Sequence, residues 1–301
     1  MTPICLIGIG KIAVDQHVPS IAASEDWGLA ATVSRSGTVQ GVPAFTDFDQ
    51  MLAETDIPVI SLCLPPVPRF AYAAKAIAAG RHVMLEKPPG ATLAEVHALQ
   101  NMAADKGVTL FATWHSRMAR GVAAAKAFLA GKTVTDGHIT WKEDVRRWHP
   151  GQEWVFEPGG MGVFDPGINA LSILTEVLPA PIHLQEATLH FPENRQTPIA
   201  AQLQFSGGIS ADFDWRQEGD QIWEMTLQAG DDRVDLKDGG NRCLINGDEA
   251  PQAALDEYPA LYARMAELVK TDNSDVDLTP MVHVSDAMTL GRRETVAAFD
   301  F

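Results

Sequence analysis

Short apolar runs alternate with Ala-rich segments through the first third of this 301-residue sequence, and this alternation constrains the fold more than any other feature. The segments Phe70–Ala79 and Leu93–Lys106 have apolar residues at helical spacing, and Gly80 and Gly107 follow directly after them. The apolar runs between such segments predict strands at 3–7, 28–33, 58–63, 82–85 and 108–112. We therefore expect an α/β domain with a doubly wound parallel sheet.

The pattern changes after about residue 118. A predicted helix at Ala119–Leu129 is followed by strand-like segments with Gly, Asp and Pro turns between them, at Ile139–Val145, His183–His190, Ile199–Phe205, Ser210–Trp215, Trp223–Ala229 and Arg233–Leu236. Strands joined by short turns pair antiparallel, so we expect one domain over residues 1–118 and a second, α+β domain over 119–301. Pro259–Lys270 and Met281–Phe299 are predicted to be helices that can pack on either domain.

Charge and composition exclude several classes of partner. The sequence has 39 Asp+Glu against 23 Lys+Arg, and a net charge of −16 repels nucleic-acid phosphates and anionic lipid. No stretch has the 18 apolar residues of a membrane span, and the opening apolar run lacks the basic start of an export signal. Cys5, Cys63 and Cys243 cannot all pair and form no metal-binding CxxC cluster. We expect a cytoplasmic protein without a metal.

A glycine-rich turn, Gly8-Ile9-Gly10-Lys11-Ile12-Ala13, follows the first predicted strand and opens a predicted helix. Its glycines permit a tight turn and let backbone amides approach a pyrophosphate at the positive end of the helix. An ordinary strand-turn-helix with small residues can carry the same letters, but the βαβ alternation around them favours a dinucleotide site. We expect a Rossmann fold in which Gly8, Gly10, Lys11 and Ile12 contact the cofactor.

The end of the second predicted strand indicates which dinucleotide is preferred. Ser34 and Arg35 stand there, where an NAD-selective site would have an Asp or Glu for the ribose 2′-hydroxyl. A guanidinium beside a hydroxyl suits a 2′-phosphate, because it offers several donors and a fixed positive charge. We expect NADP to be preferred and NAD to be possible; the alternative is that the two residues only form a solvated turn.

The fourth predicted strand ends in Glu86-Lys87-Pro88. Parallel sheets bind their ligands just beyond the carboxyl ends of the strands, so Lys87 is placed to meet both a nicotinamide and a substrate. The alternative is a surface lysine before a proline turn.

The segment from Trp141 to Leu174 is too polar and too aromatic to be only a core element. Aromatic faces with convergent polar groups suit a sugar; the alternative is a long solvated loop whose tryptophans cover the core. Within it, Asp165-Pro166 predicts a helix N-cap and a helix through about Leu178, with Asn169 on the same face as Asp165. A catalytic Asp165 requires that capping leave one of its oxygens available for substrate.

Taken together, the motifs resemble the family of glucose-fructose oxidoreductase and inositol dehydrogenase. The glycine-rich turn, the Glu86-Lys87-Pro88 triplet and GGMGVFDPGIN (Gly159 to Asn169) occur in the family's order and spacing, and the resemblance covers the whole chain. It implies a dinucleotide-binding domain at 1–118 and a substrate-binding and oligomerisation domain at 119–301 with an open, mostly antiparallel sheet. The resemblance is closer still to the family's bacterial aldose 1-dehydrogenases for L-arabinose or D-galactose, through TWHSR, WKEDVRRWHPGQ and FDPGINALSI at Thr113–Arg117, Trp141–Gln152 and Phe164–Ile173.

The resemblance also implies the roles of individual residues. Lys87, Asp165 and Asn169 would be catalytic, and the last two would also bind the sugar with His115, Glu143, Trp148 and His149. Pro65, Glu86 and Lys87 would join the cofactor contacts, and the protein would be a homodimer or a higher homo-oligomer. Many family members carry His where this chain has Asn169, and a neutral amide cannot accept a proton. The base is then Asp165 or Lys87, and Asp165 is favoured because a carboxylate is already ionised at neutral pH.

The expected reaction is oxidation of the anomeric carbon of L-arabinose, D-galactose or D-fucose to the lactone. One alternative is a dehydrogenase of the same fold for another sugar, a cyclitol or a dihydrodiol. Another is a non-catalytic nicotinamide-binding sensor, which the presence of both Lys87 and Asp165 disfavours. L-Arabinose and D-galactose differ by one hydroxymethyl group, worth about 1 to 3 kcal/mol of discrimination, so we expect both to react.

Overall fold

The computed structural model describes residues Met1 to Phe301, which form two compact units. The first unit comprises Met1–His115 and Glu257–Asp277, and the second comprises Ser116–Asp256 and Leu278–Phe301. The division differs from a single boundary at residue 118, because the segment 257–277 returns to the first unit. It does so by burying apolar and aromatic side chains there; the indole of Trp27, for example, donates to the backbone oxygen of Tyr262 at 2.9 Å.

The first unit is built on a six-stranded parallel sheet, which confirms the Rossmann arrangement. Its strands are β1 (Thr2–Ile7), β2 (Trp27–Val33), β3 (Ala44–Phe45), β4 (Val59–Leu62), β5 (His82–Leu85) and β6 (Leu110–Ala112). They lie in the order β3-β2-β1-β4-β5-β6. The order reverses between β1 and β4, and ligands of such sheets bind beyond the carboxyl ends of the strands at this point.

Nine α-helices are distributed over the two units, and none is long and apolar enough to cross a membrane. They are α1 (Val18–Ala22), α2 (Phe48–Glu54), α3 (Pro66–Ala78), α4 (Leu93–Lys106), α5 (Val122–Leu129), α6 (Val145–Trp148), α7 (Phe164–Val177), α8 (Glu257–Lys270) and α9 (Thr279–Leu290). The helix predicted after Gly10 is irregular, because a π-turn at Ala13–His17 precedes α1. Helix α4 has the predicted bounds, since Thr92 caps its first turn and Gly107 ends it with a φ of 64°.

The second unit is built on a mixed, mostly antiparallel sheet of nine strands. These are β7 (Asp136–Lys142), β8 (Leu184–Pro192), β9 (Ala200–Phe205), β10 (Ile209–Asp214), β11 (Ile222–Ala229), β12 (Asp232–Lys237), β13 (Arg242–Ile245), β14 (Asp248–Glu249) and β15 (Arg292–Val296). Their order is β14-β13-β12-β11-β7-β10-β9-β8-β15, and only the pairs β7–β10 and β8–β15 run parallel.

Two predictions for the second unit are wrong at their ends. The helix expected to reach Phe299 stops at Leu290, because Gly291 has an extended backbone with a ψ of 131° and the next five residues pair with β8. The strand expected to reach Val145 stops at Lys142. Asp144 then caps α6 by accepting the backbone N–H of Arg146 at 3.0 Å.

Helices α5, α7 and α9 cover one face of this sheet. Residues of β10 alternate between buried and part-exposed, as expected where one face of an antiparallel sheet packs and the other is solvated. Helix α7 approaches β10 closely, because Gly167 has no side chain: a Cβ there would lie 2.8 Å from the ring of Phe213. The first turn of α7 is thereby held against the sheet.

Candidate active site

The glycine-rich turn in the first unit has the geometry that a dinucleotide requires. Gly8 has a φ of +88°, and its N–H donates to the backbone oxygen of Val33 at 2.8 Å. A Cβ on Gly8 would lie 2.8 Å from the Leu64 side chain, whereas one on Gly10 would meet no atom within 4 Å. The space beside Gly10 is therefore open to a pyrophosphate, and Lys11 and Ile12 are exposed directly after it.

The loop after β2 folds back onto this turn. The Ser34 hydroxyl accepts the backbone N–H of Gly37 at 3.1 Å, which leaves its own hydrogen available to donate. A Cβ on Gly37 would lie 2.2 Å from the backbone oxygen of Ile9, so only glycine permits this approach. Arg35 is exposed and makes no hydrogen bond or ion pair in the structure. Its guanidinium is thus available to an anion near the glycine-rich turn.

Glu86, directly after β5, is the centre of a buried hydrogen-bonded cluster. Its Oε1 accepts the Tyr258 hydroxyl at 2.8 Å and lies 3.0 Å from Nε2 of His17. Its Oε2 accepts the backbone N–H of Lys87 at 2.8 Å. Burial raises the pKa of Glu86, but hydrogen bonds and charge from His17, with smaller contributions from His115 and Tyr258, lower it to about 2. Glu86 is therefore an anion that fixes the backbone at Lys87.

His17 is the cationic partner in this cluster. Its Nδ1 lies 2.7 Å from the hydroxyl of Tyr262, so both ring nitrogens are engaged. Burial lowers the pKa of His17, but Cys63, Tyr262 and Glu86 around the ring outweigh burial and raise it well above its usual value. The π-turn places this ring inside the unit, where it carries no exposure to solvent.

The remaining first-unit candidates lie at the carboxyl ends of β4, β5 and β6. Arg69 is buried, and its guanidinium donates to the backbone oxygens of Leu64, Glu86 and Pro88. It thus joins the loop that contains Pro65 to the loop that contains Lys87. The Lys87–Pro88 peptide bond is cis.

His115, predicted to contact the sugar, lies beside the Glu86 cluster. Its Nδ1 is 2.5 Å from Oε2 of Glu257, and its ring stacks on that of Tyr258 with centroids 5.5 Å apart. It is the last residue of the first unit's main segment.

In the second unit, Asp165 lies in the first turn of α7 and is not its N-cap, contrary to the prediction. The cap position is Val163, and no side chain caps the helix. Backbone bonds from Phe164 and Asp165 to the oxygens of Met161 and Gly162 close the turn that precedes the helix. Oδ2 of Asp165 lies 3.0 Å from Nε2 of His149, and the residue is 6% exposed.

Asn169 follows Asp165 by one helical turn and shares its face of α7. The residue is part-exposed, and its side-chain amide makes no hydrogen bond in the structure. Its backbone oxygen accepts the Ser172 hydroxyl at 2.7 Å. An amide with available donors and acceptor beside a carboxylate can orient a substrate hydroxyl.

Glu143 and its neighbours form the aromatic part of the second-unit site. The indoles of Trp215 and Trp223 donate to the two Glu143 oxygens at 3.1 and 3.0 Å. The ring of Trp215 lies 5.3 Å from that of His149, and the ring of Trp223 lies 5.7 Å from that of Trp148. Glu143, Trp148 and His149 were each predicted to contact the sugar, and the structure places all three around the indoles of Trp215 and Trp223.

Several residues that contact the predicted site residues were not predicted from the sequence. Trp215 and Trp223 flank a single turn between two predicted strands, and two indole donors so close to a carboxylate-rich segment were a usable signal. His17, Arg69, Tyr258 and Tyr262 had no such signal, because they act on Glu86 and its loop from distant parts of the sequence. No group of three or more His, Cys, Asp or Glu side chains is arranged to bind a metal ion.

Comparisons with known proteins agree with this geometry. The model of an oxidoreductase family with an NAD-binding Rossmann fold, GFO_IDH_MocA, matches residues 3–113. The chain is 40% identical to galactose 1-dehydrogenase of Pseudomonas fluorescens over 98% of its own length and 97% of that protein. The crystal structure of D-galactose-1-dehydrogenase from Rhizobium etli superposes with a TM-score of 0.93 at 50% identity, covering 99% of this chain and 97% of that one.

A more distant structure shares the fold alone. The NADP complex of the 3-ketoreductase KijD10 from Actinomadura kijaniata, which also holds TDP-benzene, has a TM-score of 0.84 at 16% identity and covers 98% of this chain. The near full-length identity to the Pseudomonas protein and the match of the first domain settle the classification. The chain belongs to the Gfo/Idh/MocA family of oxidoreductases with an NAD-binding Rossmann fold.

Proposed function

We propose that the protein oxidises the anomeric carbon of L-arabinose, D-galactose or D-fucose to the corresponding lactone, with NADP preferred over NAD as the acceptor. The observation that carries the proposal is the buried Asp165 carboxylate, which lies 3.0 Å from His149 and is not used to cap α7. The 40% and 50% identities to two proteins named as galactose 1-dehydrogenases support the sugar assignment.

The first unit would hold the dinucleotide. Gly8, Gly10, Lys11 and Ile12 would surround the pyrophosphate, because the space beside Gly10 is open. Ser34 and Arg35 would bind the 2′-phosphate of NADP through a hydroxyl and an exposed guanidinium. Pro65, Glu86 and Lys87 would bind the nicotinamide half at the carboxyl ends of β4 and β5. When bound, this cofactor supplies the hydride acceptor.

The protein's own residues would handle the proton. Oxidation to the lactone removes a hydride from the anomeric carbon and a proton from its hydroxyl, so one base is required. We assign the base to Asp165, whose oxygens are acceptors, since the Asn169 amide cannot accept a proton; Lys87 is the alternative base. Lys87 and Asn169 would hold the anomeric oxygen as its proton leaves.

Sugar recognition would fall to His115, Glu143, Trp148 and His149, together with Asp165 and Asn169. Glu143 can accept from sugar hydroxyls while its two indole partners hold it in place. The face of Trp148 can pack on an apolar face of the pyranose ring. Room for one hydroxymethyl group then decides between L-arabinose and D-galactose.

The proposal is tested by initial rates of NADPH formation at saturating NADP with L-arabinose, D-galactose, D-fucose, D-glucose, D-xylose and myo-inositol. Turnover of the first three sugars, with a lower KM for NADP than for NAD, is the expected result. Turnover confined to myo-inositol, or cofactor binding with no turnover of any sugar, would replace the proposal with a cyclitol dehydrogenase or a sensor.

We further propose a cytoplasmic homodimer or higher homo-oligomer. Three unpaired cysteines, two of them buried, fit a reducing compartment. Oligomerisation follows the expectation for this family, and light scattering at micromolar concentration tests it: a monomer would contradict it.

A further inference from the structure

The loop between α6 and α7, residues 149–163, carries His149 at one end and leads to Asp165 at the other. Its regular structure is limited to the 3₁₀ turn Glu153–Phe156. Irregular segments open at low free-energy cost unless side chains from elsewhere hold them. The position of His149 therefore depends on what packs against this loop.

Arg195, in the turn after β8, packs against the loop. Its guanidinium forms an ion pair with Glu153 and lies 5.0 Å from the ring centroid of Phe156. Its Nε donates to the backbone oxygen of Phe299 at 2.9 Å. The guanidinium carbon of Arg195 lies 5.6 Å from the ring centroid of Phe301. The Arg195 side chain is only 12% exposed, so its contacts with the aromatic rings are shielded from water, whereas the Glu153 carboxylate is 56% exposed.

The tail, defined here as residues 299–301, completes this packing. The side chain of Asn194 accepts the backbone N–H of Phe299 at 2.9 Å and donates to Oδ1 of Asp300 at 2.9 Å. The rings of Phe299 and Phe301 each lie 5.8 Å from that of Phe156. The tail thus covers Phe156, which is 2% exposed.

A continuous chain of ring contacts leads from Phe156 to the site. The ring of Phe156 lies 5.6 Å from that of Trp215. Trp215 in turn lies 5.3 Å from the ring of His149 and donates to Glu143 at 3.1 Å. Because buried rings pack rigidly, a shift of Phe156 reaches both site residues.

The turn that leads on from this arginine also fixes the start of α7. The Thr197 hydroxyl donates to the backbone oxygen of Val155 at 3.2 Å. The backbone N–H of Val163 donates to the backbone oxygen of Pro198 at 2.7 Å. Gly162 has a φ of +55°, and a Cβ on it would lie 2.2 Å from the Pro198 oxygen. The middle of the loop and its end at Val163 are therefore attached to the same turn.

We propose that Arg195 and the tail are positioning elements for sugar binding: they hold residues 149–163 so that His149 stays beside Asp165 and Trp215 stays against Glu143. They do so without being assigned any contact to the sugar or to the reacting atoms. This inference rests on the proposed sugar dehydrogenase function and names residues that set its affinity for sugar.

The test compares Arg195→Ala, Arg195→Lys and Phe299→Ala with a matched control, Arg293→Ala. The control removes an exposed guanidinium that lies 4.9 Å from the ring of Phe191 in the same unit. Two properties are measured: steady-state constants for sugar and for NADP, and amide hydrogen exchange of residues 149–163 in the ligand-free protein.

We expect Arg195→Ala to raise the sugar KM about tenfold to hundredfold, since displacements near 1 Å cost that much, while the NADP KM stays within about twofold. Exchange in 149–163 should accelerate in this variant and in Phe299→Ala, and not in the control. Arg195→Lys should recover part of the sugar affinity, because it retains a cation that can reach Glu153 but not the planar stack on Phe156.

Unchanged exchange in 149–163 for both Arg195→Ala and Phe299→Ala would overturn the inference, whatever the substrate is. A rise in the NADP KM equal to that in the sugar KM would also overturn it, because general loosening would then explain both. If the wild-type protein turned over no aldose, the proposed function would fail, and exchange would still decide whether the loop is held by Arg195 and the tail. If Arg195→Ala did not fold, Phe299→Ala would be compared with the Arg293→Ala control in the same two measurements.

Discussion

Nε2 of His149 lies 3.0 Å from Oδ2 of Asp165, in the first turn of a helix whose N-cap is a different residue. The contact orients the carboxylate from the side chain of a neighbouring loop rather than from the helix backbone. The imidazole thus fixes the orientation of the carboxylate that we assign as the base.

Replacing Asp165 by Asn should lower kcat by about 10²- to 10⁴-fold, because the isosteric amide keeps the shape and cannot accept the proton. The sugar KM should change only a few-fold, and the thermal unfolding midpoint should stay near that of wild type. Steady-state rates of NADPH formation measure kcat and the sugar KM. If Asp165→Asn kept turnover within a few-fold while Lys87→Met abolished it, Lys87 would be the base.

Glu143→Gln should weaken sugar binding and leave cofactor binding intact. The carboxylate accepts one indole N–H at each oxygen, at 3.1 and 3.0 Å, and a Gln must present an NH₂ group to one of them. An unsatisfied buried donor costs about 1–3 kcal/mol, so we also expect a lower free energy of unfolding. Calorimetric titration with sugar and with NADP separates the two sites, and loss of NADP affinity would argue against this placement.

Arg35→Ala should shift cofactor preference. Removing the exposed guanidinium eliminates a charge-assisted contact worth about 1.5–3 kcal/mol, which is a rise in the NADP KM of about 10- to 100-fold. The NAD KM should hardly change, since NAD has no 2′-phosphate. Arg81→Ala, on an arginine that instead binds Thr55 and Asp56, serves as a control of equal charge. Equal losses for both cofactors would remove Arg35 from the 2′-phosphate site.

The buried His17–Glu86 pair should make stability depend on pH from both sides. Glu86 has a pKa lowered to about 2, so its stabilising contribution is present above its unfolded value near 4.3 and is lost as pH falls through 2. His17 has a raised pKa, so its contribution is complete below its unfolded value near 6.5 and is lost as pH rises through the folded one.

Urea unfolding of wild type and His17→Gln at pH 6 and pH 9 measures the His17 contribution. The difference in unfolding free energy between the two proteins should be larger at pH 6 than at pH 9, because the folded protein binds the His17 proton more tightly than the unfolded chain does. Equal differences at both pH values would mean that folding leaves the pKa of His17 unchanged, and a smaller difference at pH 6 would mean that the folded protein holds the ring neutral.

The parallel sheet was predictable from the sequence because its strands are buried on both faces. Strand β5 has the predicted bounds, and β1, β2, β4 and β6 differ only at their ends, since buried strands are continuous apolar runs. Strands β14 and β15 were missed, because they are largely exposed and carry charged residues where an apolar run would otherwise identify a strand. Strands β3 and β13 were missed as well, and they have only two and four residues.

Whether a site could be predicted depended on how close together its residues lie in the sequence. The segment that contains Glu143, Trp148, His149 and Asp165 is compact in sequence, so its unusual composition identified it. The cluster around Glu86 is not, since His17 lies 69 positions before it and Tyr258 lies 172 positions after it. Only the folded chain joins these positions, and no local pattern encodes their contact.

The first unit takes its last segment, Glu257–Asp277, from beyond nearly the whole second unit. During synthesis the ribosome must therefore produce 141 intervening residues, Ser116–Asp256, before Tyr258 and Tyr262 can close around Glu86 and His17. Until then a buried acid and a buried imidazole lack their hydroxyl partners, and the β6 edge lacks Ser274 and Asp275. The nucleotide-binding unit is thus the first to begin translation, yet it cannot finish folding until most of the second unit has been synthesised.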